Sequence, residues 1–142
     1  MSNISRKCVP FTPFDSSLQR STVAIVTAAG VHMRDQDPFN IGDDLGDLSY
    51  RVMGEDITLA DLMVTHDHYD HEDADQDVNV VFPIDILNEL ADEGFIGGVA
   101  RKHVGFMGYT MRLKDMYEQT APQIAQEIDK GSRVDIVLLT GG

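Results

Sequence analysis

Residues 133–139, Arg-Val-Asp-Ile-Val-Leu-Leu, are the clearest strand in the chain and decide its fold class. The loop residues Thr140-Gly141-Gly142 follow directly. A second run, Thr-Val-Ala-Ile-Val-Thr at 22–27, ends at the small residues Ala28-Ala29-Gly30. Short apolar, β-branched runs bounded by turn residues are typical of strands that are buried in parallel sheets.

Two helices are predicted between these strands. The first begins at Pro83, because the first turn of a helix tolerates proline, and ends at Gly94. The second covers roughly 113–130 and contains Pro122, which should kink it or restart it after Thr120. Strands followed by helices indicate an α/β fold with a mainly parallel, doubly wound, Rossmann-like sheet that is incomplete at its C-terminus.

Other segments carry weaker signals. Residues 1–20 contain Pro10 and Pro13 and are predicted as an extended N-terminal arm, which leaves 21–142 as part of a single α/β domain. Residues 78–82 are apolar and β-branched, and 95–100 are read as a short strand. Residues 104–110 are predicted as a glycine-interrupted apolar loop.

Composition excludes several function classes. The 24 acidic residues against 11 basic ones give a net charge of −13, so nucleic acid and anionic membranes are not expected partners. We find no run of eighteen apolar residues and no secretory leader. The single cysteine, Cys8, has no partner for an internal disulfide, and a cytoplasmic location is predicted.

Residues 65–71, Thr-His-Asp-His-Tyr-Asp-His, contain a possible metal motif. Its H-x-H-x-D-H spacing resembles the first metal box of the metallo-β-lactamase family, which implies a zinc-dependent hydrolase. The ligands would be His66, His68, Asp70 and His71. The rest of that family's pattern is missing, because the later His103 lacks the expected glycine-histidine-threonine context. The simpler interpretation is a polar loop whose side chains are satisfied by hydrogen bonds.

The loops that leave the predicted strands are the other candidate sites, since ligands of open α/β sheets bind at the carboxyl ends of strands. The turn at 27–32 could present backbone N–H groups to an anion, or simply be a tight strand exit. The glycine-flanked segment 105–109 could line a pocket or belong to the core. The candidate active-site residues are Thr27, Ala29, Gly30, His32, Tyr109, Thr140, Gly141 and Gly142.

Nine strings, in order along nearly the whole chain, resemble the selenoprotein B family of glycine, sarcosine, betaine and D-proline reductases. They are Val9–Pro13, Val23–Met33, Pro38–Asn40, Gly46–Arg51, Asp75–Asn79, Val81–Asp85, Glu93–Gly97, Gly105–Gly108 and Asp135–Thr140.

This resemblance implies a chemistry. A selenocysteine selenolate cleaves the C–N bond of an amino acid, whose nitrogen is held as an imine on the pyruvoyl group of a partner subunit. A dithiol or thioredoxin-type reductant then regenerates the selenolate. D-proline is the favoured substrate.

The resemblance also places the selenocysteine directly after Gly142. The chain itself then holds no catalytic residue. We expect it to be part of a selenoprotein, truncated at a UGA codon read as a stop and inactive alone. The alternative is a non-catalytic remnant or interaction module of the reductase fold.

Overall fold

The computed structural model describes residues 12–142, and it shows a mixed α/β chain. Its strands are β1 (Thr22–Thr27), β2 (Val31–Met33), β3 (Tyr50–Met53), β4 (Leu62–Val64), β5 (Gly98–Val99), β6 (His103–Phe106) and β7 (Ile136–Thr140). Its α-helices are α1 (Glu72–Gln76), α2 (Ile84–Asp92), α3 (Leu113–Asp115) and α4 (Ala121–Gly131). The other helical segments are the 3-10 turns Leu18–Arg20, Leu59–Asp61 and Val78–Val80 and the π-helix Met116–Thr120.

The main sheet is built around β1. Strand β7 pairs parallel to β1 along one edge, with Val23 opposite Ile136 and Thr27 opposite Thr140. Along the other edge β1 pairs parallel first with β5 and then with β6. Strand β3 adds to β6 in antiparallel orientation, and β2 and β4 form a separate antiparallel pair.

Strands β5 and β6 share one edge of β1, and His103 bridges the break between them. The backbone N–H of Ile25 donates to Nδ1 of His103 at 3.0 Å, in place of a ladder carbonyl. The His103 side chain is 1% exposed. Burial lowers its pKa to about 4, so the ring is neutral and able to accept this bond.

Two apolar clusters lie on opposite faces of the sheet. Val23 and Ile25 of β1 belong to the cluster under the β2–β4 pair and α2, while Ala24 and Val26 belong to the cluster under α4. Successive side chains of a strand point to opposite faces, so β1 is buried on both. Its continuous apolar run is explained by this position.

The predicted strands at the two ends of the domain and the mainly parallel sheet are confirmed. The helix predicted over roughly 113–130 is continuous from α3 through the π-helix into α4, since Thr120 and Ala121 both have helical backbone angles. The restart predicted as one alternative after Thr120 is therefore wrong, and the helix instead changes from π to α geometry beside Pro122. The doubly wound, Rossmann-like arrangement stays a prediction, since antiparallel strands are present and helices are few. The domain division at residue 21 also stays a prediction.

Part of the predicted loop at 104–110 is wrong, because His103–Phe106 is strand β6. The glycine that suggested a loop is needed for close packing. A Cβ on Gly105 would lie 1.9 Å from the carbonyl oxygen of Val31. The β-branched run at 78–82 contains the 3-10 turn Val78–Val80 and no strand.

The first eleven residues of the predicted arm, including Cys8, lie outside the described residues. Residues 12–17 form no helix or strand. Within the described part of the chain, every helix is too short or too polar to cross a bilayer.

Candidate functional site

The exits of β1, β6 and β7 meet at one edge of the sheet. The N–H of Ala28 donates to the carbonyl of Thr140 at 2.9 Å, and the N–H of Gly108 donates to the carbonyl of Ala28 at 2.8 Å. These bonds hold three strand ends side by side. This is the edge at which open α/β sheets place their ligands.

Gly30 brings the loop after β4 to the same edge. Its carbonyl accepts from the N–H of Thr65 at 2.9 Å, and its N–H donates to the carbonyl of Phe106 at 3.0 Å. Its φ is +74°, and a Cβ would lie 2.3 Å from the carbonyl oxygen of Thr65. Only glycine accepts both the left-handed backbone and this approach. The loop that starts at His66 is therefore held against the strand exits.

An aromatic row, formed by Tyr69, His66, His68 and Tyr109, crosses the strand exits. The His66 ring lies 4.8 Å from Tyr69 and 5.9 Å from His68, measured between ring centroids. His68 stacks on Tyr109 with centroids 3.4 Å apart and planes 12° apart. The hydroxyl of Tyr69 donates to the carbonyl of Ala29 at 2.9 Å. The row thus links the exit of β1 to the segment that follows β6.

Gly142 lies directly against the Tyr69 ring. A Cβ on Gly142 would come within 2.3 to 2.6 Å of three ring carbons of Tyr69. Burial, with a contribution from the carboxylate of Asp75, raises the pKa of the Tyr69 phenol, so the hydroxyl stays protonated and keeps its hydrogen bond. The Thr140 hydroxyl donates to the carbonyl of Val81 at 2.6 Å and anchors the end of β7.

The candidate residues divide into buried and accessible ones. Buried His32 uses both ring nitrogens on its own chain, toward the Met33 carbonyl at 2.7 Å and the Thr65 hydroxyl at 2.8 Å. Buried Thr27 accepts from the N–H of Ala29, which is also buried, at 3.2 Å. These internal hydrogen bonds stabilise the backbone where β1 ends.

The accessible candidates are four in number. Gly141 and Gly142 are exposed, and Thr140 and Tyr109 are half-buried. These four face the open edge.

The residues of the metal motif do not all converge. Within residues 12–142, His66, Asp67 and His68 offer ligand atoms within 4.8 Å of one another. The Asp70 carboxylate instead accepts from the N–H of Glu72 at 3.1 Å. His71 pairs with Asp75 at 2.8 Å.

The hydrogen bonding of His66 does not favour zinc. Its Nδ1 accepts from the backbone N–H of His68 at 3.0 Å. Burial, and then the nearby His68, lower the pKa of His66, so the ring is neutral and its proton lies on Nε2. Both nitrogens are then occupied. A zinc-bound histidine instead donates its second N–H to an outer partner.

Tyr69 is the residue that sequence reasoning missed. It stands inside the H-x-H-x-D-H string, in which the spacing of the histidines is the stronger signal. The usable signal was one aromatic residue in a polar loop that follows a short strand.

A large cavity lies away from the strand exits. It is a groove of about 690 Å³ between α4 and β7. A smaller cavity of about 220 Å³ lies beside His103, at the start of β6. Neither includes a candidate active-site residue. The candidate site is instead an open edge of the sheet.

Comparison with other proteins gives consistent matches. A family model described as glycine/sarcosine/betaine reductase selenoprotein B matches residues 3–142. D-proline reductase subunit gamma of Acetoanaerobium sticklandii is 46% identical over 132 residues, which cover 93% of this chain and 53% of that protein.

Two more distant relatives belong to related complexes. Glycine reductase complex component B subunit gamma of Carboxydothermus hydrogenoformans is 29% identical, covering 93% of this chain and 30% of that protein. Sarcosine reductase complex component B subunit beta of Peptoclostridium acidaminophilum is 31% identical, covering 70% of this chain and 23% of that protein. The chain thus spans about half or less of these relatives. No solved structure matches it.

Proposed function

The chain belongs to the glycine/sarcosine/betaine reductase selenoprotein B family, and on this premise we propose that it is part of a selenium-dependent reductase that cleaves the C–N bond of an amino acid. The observation that carries the proposal is the family match over residues 3–142, which includes all three strand exits of the candidate site. D-proline is the favoured substrate, because identity to the D-proline reductase subunit is 46% and identity to the glycine and sarcosine reductase subunits is 29% and 31%.

The reaction is a two-electron reduction. The C–N bond breaks, a C–H bond and an N–H bond form, and a dithiol or thioredoxin-type reductant is oxidised to a disulfide. With D-proline, cleavage of the bond between Cα and nitrogen opens the ring. The pyruvoyl group of a partner subunit would activate the substrate nitrogen, and a selenocysteine would supply an easily ionised nucleophile.

We place that selenocysteine directly after the position of Gly142. The fit is supported by the surroundings of Gly142, which is exposed at the sheet edge and backed by the Tyr69 ring. A reactive residue there would project from a rigid strand end, anchored by the bond from Thr140 to Val81. Rigid positioning of a nucleophile lowers the entropic barrier to attack.

The side chains of Tyr69, His66 and His68 then have a positioning role beside the nucleophile. Tyr69 stays protonated and holds the exit of β1 through Ala29. His66 is neutral, and the His68 ring covers Tyr109. These groups position the strand exits and exclude water from one side of the site.

The gene provides the first test. The nucleotides after the Gly142 codon should read TGA, followed by an open frame that encodes a nearby cysteine. TAA, TAG, or a TGA without a following frame would contradict the placement of the nucleophile.

Activity provides the second test. The full gene product should be assembled with its pyruvoyl-bearing partner and supplied with dithiol. We expect D-proline to drive stoichiometric oxidation of the dithiol, faster than glycine, sarcosine or betaine do. Equal or no turnover with D-proline would refute the substrate assignment.

Zinc content separates the reductase from a hydrolase. The reductase proposal predicts no stoichiometric zinc after dialysis, and none that depends on His66. One zinc per chain, lost in His66→Ala or His68→Ala, would favour the hydrolase instead.

A further inference from the structure

Strand β7 has apolar side chains on both faces, yet it is poorly covered. Val137, Leu138 and Leu139 are 42%, 36% and 74% exposed. Their partners on β1 include Ala24 and Ile25, which are fully buried. Two paired strands of the same sheet, with similar sequences, therefore have opposite environments.

A groove of about 690 Å³ lies between β7 and α4. Val137 and Leu139 line it from the strand, and Ala121 and Ala125 line it from the helix. The two alanines are four residues apart, so they lie on one face of α4. Small side chains on that face leave room for a second helix to lie close to α4.

The edge of β7 is also open. Across residues 12–142, β7 pairs with β1 alone. A continuous apolar run such as Ile136–Leu139 belongs to strands with neighbours on both edges and layers on both faces. An open apolar edge invites pairing with another chain.

We propose that this surface is the docking site for a strand–helix unit from the part of the family polypeptide that this chain does not match. The strand would pair parallel with the open edge of β7, and the helix would lie beside α4 over Val137 and Leu139. The D-proline reductase subunit gamma is matched over 53% of its length, so nearly half of that polypeptide is available to supply the unit.

The connection rules of α/β sheets support this occupant. The chain passes from β6 through α4 to β7, which places α4 over β1 and β6 and leaves the same face of β7 bare. A further parallel strand requires a crossover, and its helix falls on a face of the sheet. This inference goes beyond the proposed reaction and holds for any substrate.

The test is co-expression. This 142-residue chain, carrying a tag, is expressed with the untagged unmatched remainder of the A. sticklandii subunit gamma. We expect the remainder to co-purify in a 1:1 complex. The chain alone should bind the apolar dye 1-anilinonaphthalene-8-sulfonate, and the complex should lose most of that fluorescence.

Two substitutions locate the interface. Leu139→Asp places a charge in the groove, and Ala125→Leu fills it without adding charge. Each should reduce recovery of the remainder about tenfold or more, because Leu139→Asp removes the burial of a large apolar side chain and Ala125→Leu occupies the space that the docking helix needs. Both positions are exposed, so the variants should keep the circular dichroism spectrum of the parent chain. Val80→Asp, at a 62% exposed residue outside the groove, is the matched control and should have no effect.

Three outcomes would overturn the proposal. The remainder could fail to co-purify, or it could co-purify equally with the Leu139→Asp and Ala125→Leu variants. The chain alone could also form a stable dimer that binds no dye, which would make a second copy the occupant. Because no substrate is involved, each of these results is independent of the test for D-proline reduction.

Discussion

Protonation of His103 should destabilise the chain between pH 6.5 and pH 4. The ring is 1% exposed, and its Nδ1 accepts the N–H of Ile25 at the break between β5 and β6. Burial lowers its pKa from 6.5 to about 4. A protonated ring has no lone pair for this bond and would leave a charge in the core.

The sign and size of the change in the free energy of unfolding follow from proton binding. Between pH 6.5 and pH 4 the unfolded chain is protonated at this position and the folded chain is not, so the free energy of unfolding falls as pH falls. Each unit by which the pH falls in this window lowers the free energy of unfolding by about 1.4 kcal/mol. A change from about pH 7.5 to about pH 5 should cost roughly 2 kcal/mol, with the stability fully present above pH 6.5.

The assay is urea unfolding, followed by circular dichroism at several pH values. His103→Gln removes the titrating group, so it should lower stability near neutral pH and flatten most of the dependence. A smaller slope should remain, because the pKa of His66 is lowered too. Unchanged stability at about pH 5, or an equal slope in His103→Gln, would refute the reasoning.

Two further substitutions test the strand exits by urea unfolding. Gly30→Ala should lower the free energy of unfolding by more than about 1 kcal/mol, because a Cβ would lie 2.3 Å from the Thr65 carbonyl oxygen. Gly54→Ala is the control. A Cβ there meets nothing within 4 Å, so stability should change by less than about 0.5 kcal/mol. Similar effects at both glycines would show that the contact with Thr65 is not tight. Thr140→Val should cost about 1 kcal/mol by removing the donor to the Val81 carbonyl, and Thr140→Ser should restore it. A valine variant as stable as the parent chain would show that the bond to the Val81 carbonyl does not contribute to stability.

The sequence alone was enough to predict the strands that consist of an uninterrupted apolar run. The runs predicted at 22–27 and 133–139 contain β1 (Thr22–Thr27) and most of β7 (Ile136–Thr140), because their apolar β-branched residues suit a buried strand. The change from π to α geometry in the last helix lies beside Pro122, whose missing N–H cannot join the helical hydrogen bonds.

Strand β6 was missed because its signal is not local. Gly105 resembles a loop residue until the close approach of Val31 is seen. His103 resembles a polar residue until it replaces a carbonyl in the ladder of β1.

The candidate site shows the same division. The sequence by itself determined the family, the parallel strands and the small residues at their exits, because these depend on residue type and order along the chain. Only the tertiary structure placed Tyr69 against Gly142 and separated Asp70 and His71 from His66. It also decided that β7, with the same apolar pattern as β1, lies open to solvent in the described chain. Such contacts join residues far apart in sequence, so they depend on which strands pair and which faces are covered.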